Sequence, residues 1–197
     1  TKRGKPCYLF NHKRMKKIYK TNWLFKLKST AMLAAMLFAG SAMAQLSGTY
    51  TVNPSGSGSS NYTSFTALAT ALNASAGISG PVVVNVAAGT YTEQFQLNAI
   101  TGASSTNTIT INGGAATLAY ASGAVVDLNG ADYVKIDNLK ISVTAAATQS
   151  GARGVWIHNQ SDYNTISNCE INFTTHNATS NLATGYVMFT ASATSAT

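Results

Sequence analysis

The chain has 197 residues, of which only 10% are charged, with a formal net charge of +7. Ten of its thirteen basic residues precede residue 45 and all six acidic ones follow it, so the remainder carries −3. A basic nucleic-acid surface is thereby excluded, as is polyanion binding through bulk charge.

Residues 1–14 lie upstream of Met15, carry no targeting logic and are set aside as an upstream, artefactual segment. Met15 to Ala44 reads as a signal peptide. Lys16, Lys17, Lys20, Lys26 and Lys28 form the positive region, 31–39 the apolar core, and Ala42-Met43-Ala44 the cleavage site before Gln45. The apolar run is shorter than the ~20 residues of a membrane span. The expectation is a secreted or cell-surface protein, monomeric, with no membrane span after cleavage. Cys7 falls in the upstream segment and leaves Cys169 alone in the mature part. Neither an internal disulfide nor a thiolate metal cluster can then form, and Cys169 is expected to be a small buried apolar residue.

The mature chain begins with a short strand over Gly48–Asn53 and a Gly/Ser-rich linker, together 45–60. Phe65, Leu68, Ala71 and Leu72 then recur at helical spacing, with Thr63 or Ser64 to cap the helix and Gly77 beyond its end. Its narrow stripe suits a capping helix over the open first unit of a stacked array. Strands are predicted at Val82–Val86, across the alternating Tyr91, Glu93, Phe95 and Leu97, at Thr108–Ile111 and, more weakly, at Thr117–Ala121.

A repeat then appears. Residues 124–141 overlay 154–171 without a gap at a shift of 30, placing Val125 on Val155, Asn129 on Asn159, Asp132 on Asp162 and Tyr133 on Tyr163. Ile136 falls on Ile166, Asn138 on Asn168 and Ile141 on Ile171, and Gly185 restarts the pattern at a shift of 31 from Gly154. Apolar residues at every second position mark strands with one buried face, and a repeat of this length marks a stacked solenoid. Asn138 and Asn168, each between two short strands, suit the left-handed conformation of a tight turn. Stacked amides there are expected to form a ladder. The fold class expected is all-β: a parallel β-helix over 61–197 with a short N-terminal capping helix, truncated at its C-terminus.

Tyr62 to Leu72, Pro81-Val82-Val83-Val84 and Gly89-Thr90-Tyr91-Thr92-Glu93, followed by the repeats, resemble the right-handed parallel β-helix of the pectin-lyase-like superfamily. The opening is similar to pectin-methylesterase-like proteins and to long bacterial surface β-helix proteins that use type IX secretion. The resemblance spans about Tyr50 to Phe173 and implies a fold more than an activity. The family's catalytic Gln, paired Asp and Arg have no matching segment here, so it transfers no catalytic residue.

Candidate site residues come from the repeat itself. Asp132 and Asp162 should stack about 4.8 Å apart, where they could share a Ca2+ or serve instead as turn acceptors for backbone N–H groups. No other cofactor is expected. With Val155 and Ile157 inward, Trp156 and His158 point outward, and with Arg153 they form the candidate ligand site, the indole offering its ring to a sugar. Covering of Trp156 by the 142–153 loop is the competing expectation. Glycosidase chemistry lacks a close carboxylate pair, since Glu93 and Glu170 sit coils apart. The sequence thus favours a non-catalytic, adhesin-like scaffold that binds polysaccharide. The alternative is a polysaccharide lyase or pectin-esterase-like enzyme with its catalytic coils beyond the C-terminus.

Overall fold

The computed structural model describes residues 45–145, 151–174 and 185–190. The upstream segment 1–14 and the predicted signal peptide 15–44 lie outside them. Among the described residues, no helix is long and apolar enough to cross a membrane.

The described chain opens with β1 (Leu46–Val52), β2 (Asn61–Tyr62) and α1 (Phe65–Leu72). Four coils follow, each passing through the same three sheets. The first holds β3 (Ile78–Val86), β4 (Gly89–Thr92) and β5 (Phe95–Asn98). The second holds β6 (Ile109–Asn112), β7 (Ala116–Tyr120) and β8 (Ala124–Asn129). The third holds β9 (Val134–Asp137), β10 (Lys140–Val143) and β11 (Arg153–His158). The fourth holds β12 (Thr165–Ser167), β13 (Glu170–Phe173) and β14 (Gly185–Thr190). Strand order is β12-β9-β6-β3-β1-β2 in sheet A, β13-β10-β7-β4 in sheet B and β14-β11-β8-β5 in sheet C. All these strand pairs are parallel, so the expected β-solenoid is the observed fold.

Period-two patterning places the core. Val82 and Val84 pair with Ile109 and Ile111, which pair with Val134 and Ile136, and all six are buried. Phe95, Val126 and Val155 form a second inward column, with Leu97, Leu128 and Ile157 beside it. Each such side chain contributes about 1.5–3 kcal/mol by leaving water, and no coil can bury its inner face without a neighbour.

The cap forms where expected, with a different apolar set. Phe65, Leu68, Ala69 and Leu72 are buried, Ala69 taking the place foreseen for Ala71. Ser64 is the N-cap, its Oγ accepting the Ala67 N–H at 3.0 Å. Asn73 ties the far end to the first coil, donating Nδ2 to the Gln96 carbonyl at 3.0 Å and accepting the Asn98 N–H at 2.9 Å. The helix thereby lies against β5, the first strand of sheet C. The predicted leading strand is also part of the solenoid, because β1 pairs with β3 in sheet A.

The gapless overlay holds in two sheets and fails in the third. Ile136 pairs with Ile166 and Ile141 with Ile171, as the 30-residue shift requires. In sheet C, however, Val155 pairs with Val126, not Val125, and Ile157 with Leu128. The corner after β11 holds one residue more than the corner after β8, with Asn159 and Gln160 both left-handed (φ 55° and 61°). Val125 instead takes the opposite parity to Val126 and is still fully buried. The Gly185-on-Gly154 alignment slips likewise, since Gly185 pairs with Arg153 and Val187 with Val155.

Candidate functional site

The corners carry the polar chemistry. Asn138 and Asn168 are left-handed, at φ 55° and 53°, as their position between two strands predicted. Their amides do not ladder with each other. Asn168 Nδ2 donates instead to Asp137 Oδ1 at 2.8 Å, and the Ser167 hydroxyl donates to the same oxygen. The amide ladder forms at the end of sheet C, where Asn129 donates to Asn98 at 3.0 Å and accepts from Asn159. Tyr133 and Tyr163 are left-handed too, at φ 57° and 58°, which is costly for a residue with a Cβ. Their rings stack at 4.8 Å and 6°, and Tyr163 is 75% exposed.

The two donors on Asp137 hold its carboxyl below the ordinary value of 3.8, the Ser167 hydroxyl first and the Asn168 amide second. A carboxylate with a depressed folded pKa stabilises the native state above its unfolded pKa and loses that contribution as pH falls through the folded value. Acid titration of the wild type is therefore expected to lower the urea midpoint more below pH ~4 than titration of Asp137→Asn does. Parallel acid profiles for the two proteins would refute this role.

The outward residues of β11 meet each other rather than solvent. His158 Nε2 lies 2.7 Å from Asp127 Oδ1, and the two side chains are only 12% and 8% exposed. The Trp156 ring stacks on the His158 ring at 3.7 Å and 12°, and the Arg153 guanidinium carbon sits 4.4 Å from the Trp156 ring centre. Two planar groups that close to one ring centre cannot share a face without overlap. Arg153 and His158 therefore cover opposite faces of the indole. The structure thus brings Arg153, Trp156, His158 and Asp127 together as one closed stack, whose indole faces are already occupied.

Asp132 and Asp162 do lie on neighbouring coils. Asp132 Oδ1 accepts the Asp162 backbone N–H at 2.7 Å, and the Asp162 carbonyl accepts the Tyr133 N–H at 3.2 Å. Among the described residues no group of three or more His, Cys, Asp or Glu side chains gathers around a common point. Ca2+ takes about six to eight oxygens, and this pair offers it at most two carboxylates, one already engaged.

The remaining acids also have partners. Both Glu93 oxygens accept at the helix start, from Phe65 N and Thr66 N at 2.8 Å each, while Thr66 Oγ1 adds a third bond. Sequence patterning missed this role, because the carboxylate reaches the helix from the β4–β5 corner 28 residues along the chain. Glu170 pairs with Lys140 at 3.6 Å on the surface, where such pairs are worth little. Cys169 is half-buried; burial pushes its thiol up from the ordinary value, and its Sγ donates to the Ser167 carbonyl at 3.2 Å.

Two of the hollows in the described surface bear on function. One, of about 500 Å3, lies between α1 and the corner joining sheets B and C. The other, of about 520 Å3, lies at the last coil, where Val187 and Phe189 are exposed beside Ile157 and Ile166. Compared with known proteins, the chain matches no family model, no curated protein and no solved structure.

Proposed function

We propose that this chain is part of a secreted or cell-surface β-helix protein that acts as a non-catalytic scaffold and binds polysaccharide. One observation carries the reading: five of the six carboxylates are engaged in the architecture. Glu93 holds the helix start, Asp127 meets His158, Asp132 and Asp137 brace neighbouring coils, and Glu170 pairs with Lys140. A hydrolase or lyase of this architecture needs carboxylates or a base free to meet substrate. The leader before Gln45 supports secretion, and the amide- and hydroxyl-rich surface of low charge supports contact with glycans. The resemblance of the opening motifs to the pectin-lyase-like superfamily supports a polysaccharide-facing scaffold.

The test incubates the protein with immobilised glucan, mannan and polygalacturonate. The expected outcome is retention on a glycan with no new reducing ends, no unsaturated product and no released methanol or acetate. Product formation that disappears in His158→Ala would overturn the reading and favour the lyase or esterase alternative, with the His158–Asp127 pair as its acid–base group. Absence of binding to every glycan would remove the glycan part of the proposal.

A further inference from the structure

The hollow beside α1 has the chemistry of a sugar site, and it lies away from the Arg153–Trp156–His158 stack. We propose that it binds a neutral sugar unit of the polysaccharide, an inference that rests on the glycan-binding reading above.

Its walls come from three elements. α1 contributes Thr66, Ala69 and Thr70, the β4–β5 corner contributes Thr92, Gln94 and Gln96, and β7 contributes Tyr120. A volume of about 500 Å3 falls within the roughly 300–1,000 Å3 of ligand sites. Gln96 and Thr92 are exposed, while Gln94 is held in place by donating its amide to the Ala124 carbonyl at 2.9 Å. Tyr120 is half-buried against the core, which fixes its ring as a wall and leaves part of it open. A rigid aromatic ring beside neutral amides and hydroxyls matches a pyranose, which presents a C–H face and a rim of hydroxyls.

Charge selects among sugars. Among the described residues, the only charged side chain lining the hollow is Glu93, and it already occupies the start of α1 through three hydrogen bonds. The helix N-terminus, which would otherwise attract an anion, is therefore taken. A uronate entering the hollow would meet a carboxylate with no cation among the described lining residues to offset it. The site fits uncharged hexose units and disfavours polygalacturonate.

The experiment titrates the whole chain with glucan, mannan and galacturonate oligosaccharides, by calorimetry and saturation-transfer NMR. A neutral oligosaccharide is expected to bind and the galacturonate oligosaccharide is not. Gln96→Ala, an exposed change that leaves the fold intact, and Tyr120→Ala should each weaken binding about tenfold, the equivalent of about 1.4 kcal/mol. Arg153→Ala, which uncovers the indole elsewhere on sheet C, should leave the affinity unchanged. Preference for the galacturonate probe would overturn the charge argument. Neutral binding that survives both Gln96→Ala and Tyr120→Ala, or that changes with Arg153→Ala, would overturn the location while sparing the glycan-binding reading. Failure of every probe would overturn both.

Discussion

Phe95→Ala is expected to lower the unfolding free energy by about 3–5 kcal/mol, the range for truncating a fully buried aromatic. Phe95 is completely buried at the start of β5 and meets the Phe65 ring edge-on at 5.2 Å, while Phe65 meets Tyr91 in the same way. Removing the ring opens a cavity under the cap, where α1 rests chiefly on β5. In a stacked array each coil is stabilised chiefly by its neighbours, so loss of the cap exposes the first coil to unfolding. Urea denaturation followed by far-UV dichroism gives the loss. Hydrogen exchange should show α1 and β5 losing protection together. A loss below about 1 kcal/mol would mean that the helix does not pack on this ring as described.

Gly113→Val should rival that effect from an unrelated cause. Gly113 follows β6 and lies directly beneath the next coil. A Cβ at this position would meet Leu139 Cα at 2.5 Å and the Asn138 carbonyl oxygen at 2.7 Å. Those are backbone atoms, which cannot swing aside as the end of a flexible side chain can. The same glycine donates its N–H to the Asp137 carbonyl at 2.8 Å, so pushing the coils apart also strains an inter-coil hydrogen bond. The cost expected is about 3 kcal/mol, at the upper end for overpacking. It should appear as a lower denaturation midpoint with the β spectrum retained at low urea. A change within about 0.5 kcal/mol, typical of open surface positions, would contradict the close approach.

Much of the fold could be read from residue order because a solenoid writes its core locally. Inward positions alternate within each strand, and the Ile136/Ile166 and Ile141/Ile171 columns follow from pattern alone. The left-handed turns at Asn138 and Asn168 were legible for the same reason, since Asn tolerates that conformation next to short apolar runs. The helix stripe and its Ser64 cap were likewise local properties.

What pattern could not supply were contacts set by how one coil sits on another. An extra left-handed residue after β11 moves Val155 onto Val126, and a gapless overlay has no means of placing that insertion. Glu93 looked like a lone carboxylate until the cap folded back onto it. Trp156 pointed outward as its parity demanded, yet parity says nothing of Arg153 and His158 closing over both faces of the ring. The hollow with Gln96 and Tyr120 unites three segments far apart in the chain. Alternation within a strand is a local steric property that residue order records. Side-chain partners between coils depend on loop lengths and corner geometry, which become definite only when the coils stack.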